Sequence, residues 1–79
     1  MSSMDQLIEV LNEVRAGQDF VGAEDFFNQG ILDSLDMTAL VAALESRYDI
    51  FVDVDEIIVD NFRNLASIRA FLARKGINH

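Results

Sequence analysis

Apolar residues recur at intervals of three and four near the start of the chain, where Met4, Leu7, Ile8, Leu11 and Val14 share one helical face. Ser3 and Gln6 fit a capping box ahead of that face. Arg15 suits the negative end of the helix dipole, and Gly17 supplies a left-handed stop. The pattern predicts a first helix over about residues 4–16. A stronger stripe of Met37, Leu40, Val41, Leu44 and Tyr48 predicts a second helix from Asp33 or Ser34 to about Arg47, with Asp33 as its N-cap. Ala39, Ala42 and Ala43 raise its propensity and allow a neighbour to approach closely. The last stripe, Leu65, Ile68, Phe71 and Leu72, follows Asn64 as cap. Arg69, Arg74 and Lys75 load its carboxyl-terminal half with positive charge, and Gly76 ends it.

The segments between these helices are less regular. Residues 17–32 show no sustained period and contain three glycines, yet hold Phe20, Val21, Phe26, Phe27, Ile31 and Leu32. A solvated loop would not carry so many large apolar groups, so this connection is expected to pack across the bundle, with a short helical turn near Glu24 to Phe27. The Ile-Phe-Val run within Asp49 to Val54 imitates a strand. No second strand candidate exists to pair with it, so an extended connector is expected. Asp53 or Asp55 then caps a short helix over Glu56 to Asp60, with Ile57 and Ile58 pointing inward. The expected fold is all-α: one domain over residues 1–79, with three main helices, one short helix and a long first loop.

Length and composition narrow the function classes. A chain of 79 residues buries only about 60% of the surface its unfolded form exposes, so the core must recruit most of the 51% of residues that are apolar. The longest uninterrupted apolar run, Ala39 to Leu44, is far short of the roughly 20 residues a membrane span needs, and Met1 to Val10 lacks the basic region of a secretion signal. A cytoplasmic protein is the expectation. No cysteine is present, which excludes a disulfide framework or a thiolate metal site; any thiol chemistry must arrive on a cofactor. The net charge of −8 disfavours nucleic acid and anionic lipid and points to basic protein surfaces as partners.

Few residues could carry chemistry. A serine nucleophile needs a base within hydrogen-bond reach, and the only histidine is the terminal His79. Leu32 and Asp36 stand where a nucleophile elbow would have glycines. Asp53-Val54-Asp55 imitates the start of a calcium loop, but Ile57 and Ile58 occupy the places of a further ligand and the turn glycine, so no metal site is expected. Ser34 remains. At a helix start its hydroxyl is exposed beside unpaired N–H groups, which suits a phosphate-linked modification; the same position also suits an ordinary capping serine.

The order of residues around Ser34 adds a resemblance. Gly30-Ile31-Leu32-Asp33-Ser34-Leu35 resembles the G-x-x-D-S-L signature of acyl and peptidyl carrier proteins, whose serine carries 4′-phosphopantetheine. Leu40 to Glu45, followed by Arg47-Tyr48-Asp49-Ile50, is similar to that family's second helix and its ending. Asn61-Phe62-Arg63-Asn64-Leu65 with Ile68 is similar to its lead into the last helix, where Thr is commoner than Asn64. The resemblance covers about residues 26–73. It implies a small acyl-carrier-like four-helix bundle that is not itself an enzyme. By that resemblance, a phosphopantetheinyl transferase using its own Mg²⁺ moves 4′-phosphopantetheine from coenzyme A to Ser34, and the arm bears cargo as a thioester. Asp33 would help orient the transfer, while Leu35, Asp36 and Met37 would form part of the recognised surface, with Glu45 a weaker candidate. The implied partners are a loading ligase and downstream transferases or synthases with basic docking surfaces, and the implied state is a monomer.

Departures from the family bear on the pathway. Ala39, Ser46 and Arg47 stand where carriers of fatty acid synthesis often have acids. Tyr48-Asp49-Ile50-Phe51-Val52, with Asp60 and Phe62, resembles free-standing aminoacyl or D-alanyl carriers instead. Two other classes compete with a carrier: an unmodified acidic helical module binding a basic protein partner, and a hydrolase using Ser34. Asp49, Asp53, Asp55, Glu56 and Asp60 fall in a stretch without a base, so mutual repulsion relieved by salt is expected there.

Overall fold

The computed structural model describes the backbone of residues 3–77 and the side chains of residues 6–77. His79 and the side chains of Ser3 and Met4 lie outside the described residues. The chain folds into α1 (Ser3–Val14), α2 (Ser34–Tyr48), a 3₁₀ turn (Val54–Glu56), α3 (Val59–Phe62) and α4 (Leu65–Arg74), with no strand among the described residues. The expected small four-helix bundle is the observed fold.

The predicted stripes become the core. Leu7 and Leu11 from α1, Leu40, Val41 and Leu44 from α2, and Leu65, Ile68, Phe71 and Leu72 from α4 are all buried. Each contributes about 1.5–3 kcal/mol relative to exposure. One stripe needs correction: Val10 is fully buried, whereas Ile8 and Val14 pack only at the edge. Helix α1 also stops sooner than expected. Arg15 still donates its N–H to the Leu11 carbonyl at 2.9 Å, and Gly17 takes φ +85.

The caps at Asn64 and Gly76 are those expected from the sequence, and a further one stands at Asp49. Asp49 closes α2 in the left-handed conformation at φ 55, a geometry that aspartate tolerates better than a branched residue. The Asn64 carboxamide oxygen accepts from the Ser67 N–H at 2.8 Å and so caps α4; Gly76 ends it at φ +89.

Between α1 and α2 the long loop does enter the core. Phe20 and Phe26 are buried and meet edge to face, with ring centroids 5.3 Å apart. Leu32 is buried beside them, and Phe27 and Ile31 are half-buried. Val21 is the exception at 72% exposed, at a turn where the Asp19 carboxylate accepts from the Gly22 N–H at 3.1 Å. The helical turn expected near Glu24 to Phe27 forms as a single isolated turn over Asp25 to Gln29, closed where the Gln29 N–H donates to the Asp25 carbonyl at 3.0 Å. Side chains take the N–H groups at its start: Gln29 Oε1 accepts from Glu24 and Asp25 at 2.8 and 2.9 Å, and Asp25 Oδ1 from Phe27 and Asn28 at 3.0 and 2.9 Å. Two bonds then fix the loop to the α3–α4 junction. The Phe26 N–H donates to the Arg63 carbonyl at 2.6 Å, and Asn64 Nδ2 to the Glu24 carbonyl at 2.9 Å. Asn64 so does two jobs that a serine or threonine could not combine, because a hydroxyl that caps α4 leaves no amide for the loop.

Corrections concentrate between α2 and α4. The extended connector forms as expected, tethered where Glu45 Oε2 accepts from the Val52 N–H at 2.9 Å. The expected helix over Glu56 to Asp60 does not: the 3₁₀ turn and α3 take its place, separated by extended Ile58 at φ −129, ψ 153. Ile57 is half-buried as expected, but Ile58 is 47% exposed. The Ile57-Ile58-Val59 run is β-branched and stiff, which disfavours a continuous helix. Asn61 Nδ2 also donates to the Glu56 carbonyl at 2.8 Å. Nor is the acidic stretch wholly unbalanced. Lys75 reaches Glu56 at 2.6 Å from α4, and Arg63 pairs with Asp60.

Candidate functional site

Helix α2 begins in a reciprocal capping box. Asp33 is the N-cap at φ −121, ψ −171; its Oδ1 accepts from the Asp36 N–H at 2.9 Å, and Asp36 Oδ2 accepts from the Asp33 N–H at 3.1 Å. The Asp36 N–H bond is the main reason the Asp33 carboxyl lies below its ordinary pKa; desolvation opposes it, and the Asp36 side chain, the Arg15 charge and the Leu35 N–H add to it. Asp33 is therefore ionised at neutral pH and a weak base.

Ser34 follows as the first helical residue. It is exposed, and its hydroxyl makes no hydrogen bond among the described residues; only its carbonyl is engaged, by Thr38 Oγ1 at 3.3 Å. Gly30 holds φ +76 and turns the chain into this segment; the Phe26 carbonyl accepts from both Ile31 and Leu32 N–H groups, at 2.8 and 3.0 Å. Thus the buried Phe26 anchors the approach to Ser34. Asp33 and Ser34 line an open depression of about 560 Å³ whose walls include Arg15, Phe27, Met37 and Val59.

The predicted site residues come together, with differing roles. Leu35 is 81% exposed beside Ser34, and Met37 is half-buried at the depression wall. Asp36 is largely spoken for: besides the capping box, its Oδ2 receives Arg15 Nη1 at 2.8 Å. Arg15, Phe27 and Val59 were not singled out for this site from sequence. Arg15 carried only a local signal, its fit to the dipole of α1, whereas its guanidinium crosses to Asp36 and, at 3.4 Å, to the Ile31 carbonyl. Arg47 also departs from a helix-surface role. It binds Glu9 at 3.3 Å and Glu13 at 2.7 Å on α1, so the base that makes α2 less acidic is committed within the fold.

No helix among the described residues is long and apolar enough to cross a membrane. The exposed, unpartnered serine hydroxyl at a helix start fits a phosphate-linked group, since a phosphodiester there faces the positive helix end and meets no side chain that must first be displaced. A family model described as "Phosphopantetheine attachment site" matches residues 5–72. No curated protein and no solved structure matches the chain. With the helical bundle and most of the chain's length matched, the protein belongs to the phosphopantetheine attachment-site family, whose members carry 4′-phosphopantetheine covalently.

Proposed function

We propose that Ser34 is the attachment point of 4′-phosphopantetheine and that residues 1–79 form a single carrier domain shuttling acyl or aminoacyl thioesters between biosynthetic enzymes. The observation that carries this reading is the Ser34 hydroxyl, exposed and without a partner at the start of α2 in a chain of this family. In the transfer, the Ser34 oxygen forms a bond to phosphorus as the pyrophosphate of coenzyme A breaks and adenosine 3′,5′-bisphosphate leaves. The hydroxyl proton goes to a base on the transferase, because Asp33 is held ionised by the capping box and is a poor proton acceptor. When bound, the arm supplies a terminal thiol that a chain without cysteine lacks. Asp33 fixes the helix start and with it the serine, Leu35 offers an apolar contact, and Asp36 and Met37 shape the rim.

The partners in this reading are a phosphopantetheinyl transferase, a loading ligase and downstream enzymes with basic docking surfaces, matched to a net charge of −8. The protein acts as a cytoplasmic monomer. Cargo of the aminoacyl or D-alanyl type is favoured over that of housekeeping fatty acid synthesis, since Ala39 and Ser46 add no acids to α2 and Arg47 adds a base. Incubation with coenzyme A, Mg²⁺ and a broad-specificity phosphopantetheinyl transferase, followed by intact mass, tests the attachment. One phosphopantetheine adds to the folded protein and none to Ser34→Ala. An unchanged mass for the folded wild type overturns the reading and leaves an unmodified interaction module; a gain that survives Ser34→Ala moves the site.

A further inference from the structure

Attachment at Ser34 raises an electrostatic question that the site itself answers. A phosphodiester adds one negative charge to a helix start where Asp33 and Asp36 already place two carboxylates within the same turn. Like charges so close disfavour one another, and the phosphodiester shares the positive helix end with the two carboxylates. A base at the site offsets that repulsion, and the chain has six bases to provide one. Five are placed elsewhere. Arg47 is bound to Glu9 and Glu13, Arg63 to Asp60, Lys75 to Glu56, and Arg74 to Asn61, while Arg69 lines a separate depression beside Asn64 and Leu65.

Arg15 remains, and it lines the same depression as Ser34. Both of its hydrogen bonds, to Asp36 Oδ2 and the Ile31 carbonyl, use Nη1; Nη2 and Nε make none among the described residues. A guanidinium has five N–H donors in a planar fork, so it can hold a carboxylate on one side and an anionic phosphate oxygen with the donors left. Its side chain is 44% exposed, open to a group added at the rim. Resting on the attachment at Ser34 proposed above, we infer that Arg15 is the resident counter-ion of the phosphodiester: it ties the end of α1 to the modified start of α2 and offsets the charge that modification adds.

A purely structural Arg15 and a counter-ion differ in one measurable respect, which is whether its removal and the modification affect stability independently. The experiment prepares apo and phosphopantetheinylated forms of wild type, Arg15→Gln and Arg15→Lys, verifies each by intact mass, and measures urea unfolding at low and high salt. For a counter-ion, modification raises the unfolding equilibrium constant of Arg15→Gln about two- to fivefold more than that of wild type, as expected for one partly exposed ion pair. That excess shrinks in 1 M NaCl, and Arg15→Lys retains part of the wild-type behaviour. Arg69→Gln, in the other depression, shows no excess. If modification shifts wild type and Arg15→Gln equally, the counter-ion role is overturned while the attachment stands. Should wild type gain no mass at all, both readings fall. If Arg15→Gln does not fold, Arg15→Lys decides: modification that raises its unfolding equilibrium constant no more than it raises that of wild type, at low as at high salt, refutes the role.

Discussion

Two irregular connections, of similar length and apolar content, behave in opposite ways. The first, between α1 and α2, buries Phe20, Phe26 and Leu32; the second, between α2 and α4, buries Val52 and Phe62 but leaves Phe51, Val54, Ile58 and Val59 exposed. Composition does not separate them. The path of the backbone does. The first loop folds back on its own carboxylates and amides and is fixed to the α3–α4 junction through Arg63 and Asn64, so its aromatic rings are held against the core. The second runs extended from Val52, turns once and passes into a helix of only four residues, so alternate side chains face outward. One connection is scaffold for Ser34, and the other is surface beside it.

The sharpest way to break this contrast is at Phe26. Its ring is fully buried and its carbonyl takes two N–H groups leading to Gly30 and Ser34. Phe26→Ala should cost about 3–5 kcal/mol by urea unfolding, a large part of the stability of so small a domain. A smaller effect is expected at Glu56, where the second connection meets α4. Its carboxyl is held below the ordinary glutamate pKa chiefly by the hydrogen bond from Lys75, with the Asp53 N–H also contributing. A depressed pKa stabilises the fold above the unfolded value of about 4.3, and that contribution is lost as pH falls through the folded value. Glu56→Gln should therefore melt below wild type at pH 7, with the gap closing on acidification below about pH 4.3. A gap that stays constant with pH would show that the pair contributes nothing through ionisation. The smallest effect is predicted for Phe51→Ser, whose ring is 70% exposed: a change within about 0.5 kcal/mol, against the large loss at Phe26. Equal losses at the two phenylalanines would erase the distinction between scaffold and surface.

The same contrast marks what was legible in the sequence. Stripes at three-to-four spacing and capping residues specify local geometry, so α2 with Asp33, α4 with Asn64 and the burial of Leu40 or Phe71 follow from the residues themselves. The position of Ser34 at a helix start was legible for the same reason. A four-residue helix has no period to read, which is why Ile58 was expected inward and the 3₁₀ turn was not anticipated. Pairs far apart in sequence were equally silent. Arg15 with Asp36, Arg47 with Glu9 and Glu13, and Lys75 with Glu56 depend on which elements pack together.

The pairs between α1 and α2 have a consequence for how the bundle chooses its arrangement. Arg15, at the end of α1, meets an acid at the start of α2; Arg47, at the end of α2, meets acids on α1. Glu13 and Arg15 are neighbours at the end of α1, yet their partners Arg47 and Asp36 stand at opposite ends of α2, so a slide of α1 along α2 in either sense lengthens one of the two bridges. Apolar stripes alone tolerate such slides, since one greasy face fits another in several registers. The charges are a register code laid over that indifferent core, and they discriminate against slipped pairings even where each bridge adds little to stability.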